Sequence, residues 1–547
     1  TPLAEFEVNP LVASEGRLVA LDALASSGRP PEPPPPPRPL EKLRMLLAPR
    51  SIAVVGVSET SMNPGRIILQ NILKAGFDPG GVAVLKPGAQ SIDGCRCVPS
   101  LAALPGRADL VVLSVSASAS AGLIEEIARE RRAETVVLIP GGLEEKPESA
   151  PIVARMREAL VRSRAEDWRG PVVNGGNCLG IRSVPGRYNT LFIPEYKLPP
   201  PERGADPLAL ITGSGAFAVS KSSKLSRLSP VYTITVGNQM DLTAADYLEY
   251  LSQDPGVEIF AVYLEGFRPL DGARLIRAIE TLVASGRSVI FYLGGRTPAG
   301  TAAAASHTAA VASDYLVARS LAESAGAVVA ESLEDFEDHV RLFTLLRGRT
   351  VDGLSLGAVT NAGYEAVAIA DSLGPLQLAR LTDNGTAALR AALERAKLAE
   401  IVTLRNPLDL TPILDDAGYE TVFRLVLADP GVQVGLLGCV PLTGALNTLA
   451  GGAGHSEDFR RPGGIVDRLV RMAREGGKAW IAVVDAGPLY DPMAHALEEG
   501  GIPTFRTADR ALKLFGRYCV ARLAGGPAGR AAPPARPLCY ADSATSL

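Results

Sequence analysis

Residues 51–66 read SIAVVGVSETSMNPGR, an apolar run followed by a polar turn and by the start of a helix near Ile67. The apolar run shows no alternation of polar and apolar residues, which is typical of a strand buried on both faces of a parallel sheet. A buried strand, a turn and a helix form the repeating unit of a doubly wound α/β sheet. This stretch therefore predicts an α/β fold.

The same unit recurs in three series, which predict three α/β domains over residues 41–200, 201–348 and 349–524. The other apolar runs are GVAVLKP (81–87), LVVLSV (110–115), TVVLIP (135–140), LALITGSG (208–215), VYTITVG (231–237), IFAVYLEG (259–266), SVIFYLGG (288–295), LSLGAVTNAG (354–363), VGLLGCVPL (434–442) and AWIAVVDAG (479–487).

Two segments of biased composition flank these domains. Residues 28–39 read GRPPEPPPPPRP, which predicts an extended Pro-rich linker over residues 27–40. This linker separates a short N-terminal piece, residues 1–26, from the three domains. Residues 525–547 are rich in Ala, Pro, Gly and Ser and lack periodicity, so we expect a disordered tail there.

The composition excludes several classes of protein. The chain has 547 residues with 55 Lys and Arg against 59 Asp and Glu, a net charge of −4, which argues against a protein that mainly binds nucleic acid. No apolar run reaches the roughly 18 residues that a membrane span needs. Six cysteines in this length are too few for a disulfide scaffold and favour a reducing cytoplasm. We therefore expect a cytoplasmic protein with no nucleic-acid or membrane partner.

Three turns between a strand and a helix are candidate anion sites, because backbone N–H groups at a helix N-terminus attract anions. They are GVSETSMNPGR after the strand at 51–57, TGSGAF at 212–217 and TNAG at 360–363. None has the GxGxxG form of a dinucleotide fingerprint. Lys86 follows the second strand and could meet a phosphate. Taken singly, each turn is equally compatible with a tight turn that binds nothing, and Lys86 with a solvated lysine.

Two residues could carry chemistry. His307 lies in AAAASHTAAVASD, where small neighbours would leave an imidazole accessible as a nucleophile; a structural histidine at a helix start is the alternative. Glu265 ends the apolar strand in VYLEGF, so its carboxylate could accept a hydrogen bond from an imidazole N–H and orient it. A solvated strand end is the alternative reading of Glu265.

Eight segments, in this order over about residues 41–524, together resemble the NDP-forming acyl-CoA synthetase family, relatives of succinyl-CoA synthetase. The resemblance implies a Rossmann-like CoA-binding domain followed by two flavodoxin-like domains. The segments are SIAVVGVSETSMNPGR, VAVLKPGAQSIDGCRCVPSL, LIPGGLEE, GGNCLGI, ITGSGAFAVS, YLEGF, GGRTPAGTAAAASHT and TNAGYE.

The N-terminal piece carries a second resemblance. Residues 5–25, EFEVNPLVASEGRLVALDALA, are similar to the last strands of an ATP-grasp domain, in which E-x-N-P-L and a later acidic residue supply magnesium ligands. Here these residues match Glu7, Asn9 and Asp22, whose hard oxygen atoms suit Mg²⁺. A β-hairpin with a turn at residues 14–16 is expected in either case. The resemblance implies the C-terminal part of a fused enzyme that lacks most of its ATP-grasp domain.

The family's mechanism implies roles for the matching residues. A histidine, here His307, takes a phosphoryl group from ATP and passes it to a small carboxylic acid, and CoA then displaces phosphate from the acyl phosphate. Glu265 matches the glutamate that orients the histidine. The phosphate-binding turns match Gly213, Ser214, Gly215 and Ala216, and Asn361, Ala362 and Gly363. The CoA site matches Gly56, Ser58, Lys86, Ser114, Val115, Ser116, Pro140, Gly141 and Gly142. The family does not identify the acid pocket; Asn177 in GGNCLGI and Asn189, which follows this segment, are the candidates, with a polar loop as the alternative for Asn189.

Two other functions stay open at this point. The chain could be a CoA- or acyl-CoA-sensing module that is silent without its nucleotide half, or a CoA-dependent lyase of the same superfamily. Retention of His307, Glu265 and both glycine turns favours the ligase. We expect CoA, ATP and Mg²⁺ as cofactors and a homo-oligomer of the full-length fused chain.

Overall fold

The computed structural model describes residues 3–28, 36–200, 204–307 and 314–525. The side chains of residues 305–307 lie outside the described part. The predicted Pro-rich linker is described only in its flanks, and the predicted tail only at its first residue. None of the helices of the described ranges is long and apolar enough to cross a bilayer.

Residues 3–28 form a small antiparallel unit rather than part of the main sheets. Its outer strands pair with each other, as do its inner strands. The inner pair turns at Glu15 and Gly16, both with positive φ (49° and 75°), the backbone that a two-residue hairpin turn requires. This confirms the hairpin and its predicted turn. The strands are β1 (Leu3–Val8), β2 (Leu11–Ser14), β3 (Arg17–Ala20) and β4 (Ala23–Ser27).

The first large sheet has seven strands in the order β11-β10-β9-β5-β6-β8-β7, parallel except for β7. Its central strands are buried along their whole length, as the unbroken apolar runs predict. The strands are β5 (Ile52–Val55), β6 (Val82–Leu85), β7 (Ser91–Ile92), β8 (Cys95–Val98), β9 (Ala108–Leu113), β10 (Ala133–Leu138) and β11 (Val172–Gly175), and the helices are α1 (Leu43–Leu47), α2 (Pro64–Lys74), α3 (Ala117–Glu130) and α4 (Ala150–Arg164).

The second sheet also has seven strands, in the order β13-β12-β15-β14-β16-β17-β18. Its five parallel strands follow the 2-1-3-4-5 order of a flavodoxin-like sheet. The strands are β12 (Ile181–Ser183), β13 (Tyr188–Asn189), β14 (Asp206–Thr212), β15 (Pro230–Thr235), β16 (Ile259–Leu264), β17 (Ser288–Leu293) and β18 (Val328–Val329), and the helices are α5 (Gly215–Lys224), α6 (Ala244–Leu251), α7 (Asp271–Ala284), α8 (Pro298–His307), α9 (Tyr315–Ser324) and α10 (Leu333–Leu345).

The third sheet repeats this order as β20-β19-β22-β23-β24, and β21 also pairs with β19. The strands are β19 (Ser355–Thr360), β20 (Gln377–Leu378), β21 (Leu408–Asp409), β22 (Val434–Cys439), β23 (Trp480–Val484) and β24 (Thr504–Phe505), and the helices are α11 (Gly363–Asp371), α12 (Asp383–Arg395), α13 (Asp416–Ala428), α14 (Ile465–Arg474), α15 (Asp491–Glu499) and α16 (Ala508–Gly525).

The predicted α/β class and the sequence of one Rossmann-like and two flavodoxin-like sheets are confirmed. The division between the first two sheets differs from the predicted boundary at residue 200. The first sheet ends with Gly175, and residues 181–189 cross over into the second sheet, where β12 pairs antiparallel with β15 and β13 pairs antiparallel with β12. One apolar core is shared by the first and second sheets and another by the second and third, so the three units pack through apolar interfaces.

Candidate functional site

The first sheet brings all nine predicted CoA-site residues to one edge. Each follows the carboxyl end of a parallel strand, next to the point where the chain reverses direction between β5 and β9. In open α/β sheets this crevice is where ligands bind. The residues are Gly56 and Ser58 after β5, Lys86 after β6, Ser114–Ser116 after β9 and Pro140–Gly142 after β10.

Gly56 is the tightest point of this edge. Its φ is +96°, and a Cβ placed there would lie 2.0 Å from the carbonyl oxygen of Ser114. Asn63 holds the turn that follows, because its amide donates to the Gly56 carbonyl at 2.7 Å and accepts from Ser58 N at 3.2 Å and from Arg66 N at 3.0 Å. The sequence analysis missed Asn63, although an Asn directly before a Pro is a helix-start signal.

One partly buried carboxylate lies at this edge among sources of positive charge: Glu145 Oε1 is 3.7 Å from the Cβ position of Gly141. The N-termini of α2 and α3 lie at the same edge, and Ser116 caps α3 by accepting from Ala119 N at 3.4 Å. Lys86 is partly buried, and its ammonium forms no ion pair with any described residue. A phosphate group would therefore find unpaired positive charge at this edge.

The loop after β11 connects this edge to the second sheet. Asn177 N donates to the Pro140 carbonyl at 2.9 Å, and a Cβ on Gly141 would lie 2.9 Å from Asn177 Oδ1. Two residues on, the Leu179 side chain lies 2.7 Å from the Cβ position of Gly215. The loop therefore contacts both the predicted CoA edge and the predicted phosphate turn.

That turn, Gly213–Ala216, lies at the carboxyl end of β14, where the second sheet reverses direction. α5 begins at Gly215, because Ser214 caps it by accepting from Phe217 N at 3.3 Å. Gly213 N donates to the Tyr263 carbonyl at 2.9 Å, which ties the turn to β16 beside Glu265.

Glu265 is partly buried directly after β16. One carboxylate oxygen accepts from the Tyr263 hydroxyl at 2.7 Å, and burial together with this carboxylate raises the pKa of Tyr263 well above its usual range. The other oxygen has no hydrogen bond to a described residue. A Cβ on Gly294 would lie 3.3 Å from Glu265 Cγ, so the loop that leads to α8 passes Glu265. The backbone of His307 ends α8, and its imidazole lies outside the described residues.

The turn Asn361–Gly363 lies at the carboxyl end of β19 in the third sheet. The side-chain amide of Asn361 already has two hydrogen bonds: it donates to the Val440 carbonyl at 2.9 Å and accepts from Val440 N at 2.8 Å. Ala362 N donates to Thr360 Oγ1 at 3.2 Å. No hydrogen bond between described residues joins this turn to Gly213–Ala216, so the predicted pair of facing helix ends stays a prediction.

Glu365 is a functional candidate that sequence reasoning missed. It lies in the first turn of α11, is 0% exposed, and its Oε1 has no partner among the described residues. The Thr360 hydroxyl donates to its other oxygen. Burial, helped by the charge of Asp485, raises the pKa of Glu365 to about 7. No sequence pattern distinguishes it from an ordinary acidic residue in a first helical turn.

Two further predictions lie away from this edge. Asn189 is on β13 and accepts from Leu191 N at 3.0 Å; it lines a separate cavity and does not join Asn177. The proposed metal ligands lie in the N-terminal hairpin, where Asn9 N donates to the Asp22 carbonyl at 3.2 Å. No three His, Cys, Asp or Glu side chains cluster as metal ligands in the described ranges, so Mg²⁺ there would need the Asn9 amide and further oxygen atoms besides Glu7 and Asp22.

Two protein families match the chain. The CoA binding domain family matches residues 50–183, and the family described as succinyl-CoA ligase like flavodoxin domain matches residues 205–343. The first covers the predicted CoA edge, and the second covers Glu265 and His307. The chain therefore contains both types of domain, in the order that the sequence analysis predicts.

Characterised proteins are similar over most of the chain. The alpha subunit of acetate–CoA ligase [ADP-forming] II from Pyrococcus furiosus is 28% identical over 87% of this chain and 98% of that subunit. Acetate–CoA ligase [ADP-forming] I from Archaeoglobus fulgidus is 27% identical over 87% of this chain, which spans only 64% of that protein. The dinucleotide forming acetyl-coenzyme A synthetase 1 of Ca. Korarchaeum cryptofilum, solved with phosphate and ADP, shares the fold with a TM-score of 0.76, 23% identity and coverage of 88% of this chain and 97% of that one.

Proposed function

We propose that this chain, a member of the NDP-forming acyl-CoA synthetase family, joins a small carboxylic acid to CoA while ATP is cleaved to ADP and phosphate. One observation carries the proposal: the loop Asn177–Leu179 contacts the predicted CoA edge on one side and the predicted phosphate turn on the other. A thiol held at the first and an acyl phosphate held at the second would meet at this loop. The ADP-forming ligases among its relatives support the same reaction class.

The residues of the first sheet fit CoA. Lys86 would pair with a phosphate group, and the backbone around Gly56, Ser114–Ser116 and Pro140–Gly142 leaves room and N–H donors for the rest of the cofactor. Ser58 contributes a hydroxyl that already accepts from Ser61 N at 3.1 Å. CoA supplies the thiol that attacks the activated acid.

The chemistry of the second sheet is phosphoryl transfer. A nitrogen of His307 attacks the terminal phosphorus of ATP and ADP leaves; a carboxylate oxygen of the acid then attacks that phosphorus, which frees His307 and gives an acyl phosphate. The CoA thiolate attacks the acyl carbon and phosphate leaves. The second carboxylate oxygen of Glu265 would hold the other imidazole nitrogen, and the N–H groups of Gly215 and Ala216 would stabilise the phosphoryl oxygens.

Other residues assist this transfer in the proposal. Asn177 would hold the acid carboxylate beside the phosphate turn, and Asn361–Gly363 would supply a second set of N–H donors. Asn189 takes no part, since it lies in a different cavity.

We assign the nucleotide step to an ATP-grasp domain, whose last strands residues 3–28 resemble. Glu7, Asn9 and Asp22 would be oxygen ligands of a Mg²⁺ ion that bridges nucleotide phosphates. A full-length homo-oligomer in the cytoplasm is the expected working form.

The test uses the half of the reaction that needs no nucleotide. The purified chain is mixed with CoA and with acetyl, propionyl or benzoyl phosphate, and thioester formation is followed by absorbance. We expect thioester with at least one acyl phosphate, at a rate that falls in a Gly56→Ala variant. A rate no higher than that without protein, for every acyl phosphate and with CoA binding intact, would contradict the ligase proposal.

A further inference from the structure

A large cavity lies away from the candidate active site. It has a volume of about 450 Å³, within the range of small-molecule sites. It is lined by the last residues of α2 and α5, by β12 and β13 and by residues 195–200. Both helices begin at the strand-end turns described above, so their far ends lie about 15 Å away.

Positive charge dominates this cavity. Four cations line it, Lys74, Arg182, Arg187 and Lys197, against one carboxylate, Glu195, which pairs with Lys74 at 3.4 Å. The other three cations have no acidic partner among the described residues. Such an excess of cations in one cavity is unusual in a chain whose net charge is −4.

Arg182 is the base of the cavity and the strongest indication of a ligand. It is partly buried on β12, opposite Thr233 in the ladder, and its guanidinium donates only to the Pro230 carbonyl, at 3.3 Å. Burial lowers the pKa of this guanidinium, with no neighbouring carboxylate to offset it. A desolvated cation without a counter-charge is costly, so a fixed guanidinium here is suited to an incoming anion.

The side chains that line the walls of the cavity indicate the chemistry of the rest of the ligand. Leu198, Pro199, Pro200 and Leu228 give an apolar side, and Ser222 and Ser226 give hydroxyls. The C-termini of α2 and α5 also face the cavity, and each contributes about half a negative charge. Four cations outweigh these two helix ends, which leaves a net preference for anions.

We propose that this cavity is a second ligand site, separate from the CoA and phosphate sites, for an organic anion whose carboxylate or phosphate group binds Arg182. Its apolar body packs against Leu198 and Leu228, and Arg187 and Lys197 close the rim. The ligand contacts α2 of the first domain and α5, β12 and β13 of the second, so it bridges both domains at the far ends of the helices that begin at the active-site turns.

Calorimetric titration of the whole chain with benzoate and with phenyl phosphate tests the site; the two probes share an apolar body and differ in the acid group. Benzyl alcohol is the neutral control. We expect at least one anion to bind in a one-to-one ratio and the alcohol not to bind, and the preferred anion identifies the head group. Arg182→Gln should weaken binding about tenfold or more, and Arg187→Gln, on the exposed rim, should weaken it without risk to folding.

Arg395→Gln, an exposed arginine of α12, is the matched control and should leave binding unchanged. CoA affinity should be the same in all three variants, which shows that they are folded. The proposal is wrong if neither anion binds the wild-type chain at about 10 mM, or if binding survives both Arg182→Gln and Arg187→Gln, since the anion would then occupy another site such as the acid pocket.

Discussion

Gly56 shows at the scale of one residue how the absence of a side chain lets two strand-end turns approach each other. A methyl group there would overlap the Ser114 carbonyl, and φ of +96° is a conformation that side chains other than hydrogen disfavour. Asn63 holds the turn that follows by donating to the Gly56 carbonyl at 2.7 Å. The shape of the predicted CoA edge therefore depends on the absence of a side chain at Gly56.

We predict that Gly56→Ala weakens CoA binding about tenfold or more and lowers the free energy of unfolding by about 1–3 kcal/mol. Calorimetric titration with CoA and urea unfolding measure the two effects. Gly122→Ala is the control, because no atom lies within 4 Å of its Cβ position in α3; it should leave CoA affinity unchanged and raise stability slightly. Equal CoA affinity in both variants would remove Gly56 from the site.

Glu265→Gln tests the orienting carboxylate. The variant keeps the shape and loses the charge that would stabilise a protonated or phosphorylated imidazole, so we expect turnover to fall about tenfold or more with CoA affinity unchanged. Tyr263→Phe removes the partner of Glu265 but keeps its charge, and should cost much less activity. Full turnover in Glu265→Gln would exclude the orienting role.

For single residues, the sequence predicts the position in the fold better than the hydrogen-bond partner. Gly56, Lys86, Gly213 and Asn361 were found because each directly follows an apolar run, and strand ends of a parallel sheet meet at one edge. The use of the Asn361 amide by Val440 could not be read from the sequence, because the two residues are 79 positions apart. Asn189 was assigned to the acid by its closeness in sequence to Asn177, whereas the chain between them turns away into the second sheet.

Among the elements, α11 has an unusual first turn. Its N-terminus favours anions, yet Glu365 is buried inside that turn with one unpaired oxygen. A protonated Glu365 would leave the Gly363 N–H free for a phosphate, whereas an ionised one would compete with that phosphate. The turn thus combines a predicted anion site with a carboxyl group whose pKa is raised toward neutral pH.

The raised pKa of Glu365 makes the free energy of unfolding depend on pH. The pKa of Glu365 is raised from 4.5 to about 7 in the folded chain, so the folded state holds its proton more tightly than the unfolded state. The stability that this proton supplies is fully present below pH 4.5 and is lost as pH rises through about 7, a change of up to about 3 kcal/mol.

Urea unfolding at pH 5 and pH 8 measures this change in the wild-type chain and in Glu365→Gln. The variant should lose less stability than the wild-type chain between the two pH values, since glutamine does not titrate and can still accept from Thr360. An identical loss in both proteins would show that Glu365 does not titrate in this range.

The strands of the sequence analysis match those of the structure within a few residues, because unbroken apolar runs between turns have few other interpretations. The exceptions are short. Seven of them have two or three residues each and two have four, too few for a clear periodicity: β7, β12, β13, β18, β20, β21 and β24, and β8 and β11. For this reason the crossing of residues 181–189 into the second sheet could not be predicted, and it shifts the division between the sheets away from residue 200.

Arg268 forms one of the contacts between the first and second domains. This residue of the second domain pairs with Glu144, which follows the Pro140–Gly142 loop, and donates to the Gln239 carbonyl at 3.0 Å. The two charged side chains are 14% and 6% exposed. Because Glu144 also pairs with Arg157, loss of Arg268 leaves this buried carboxylate with one of its two cations. The contact holds a predicted CoA loop against the second domain.

Arg268→Met should therefore lower the free energy of unfolding by about 1–3 kcal/mol and weaken CoA binding several-fold. Scanning calorimetry and CoA titration measure these effects. Arg155→Met, which breaks the exposed pair with Glu125 in the first domain, should cost less than about 1 kcal/mol. A loss of equal size in the two variants would show that the interdomain pair has no special role.

The proposed phosphoryl group on His307 can be formed by running the reaction backwards, from acyl-CoA and phosphate. The chain is incubated with a panel of short acyl-CoAs and inorganic phosphate, and His307 is examined by mass spectrometry at neutral or alkaline pH. We predict one phosphate on His307 that depends on a particular acyl-CoA and is absent in His307→Ala, whose CoA affinity is unchanged. A wild-type chain that binds CoA but gains no phosphate, both alone and when an ATP-grasp domain is supplied, would contradict the proposed mechanism. A phosphate that persists in His307→Ala would contradict it as well.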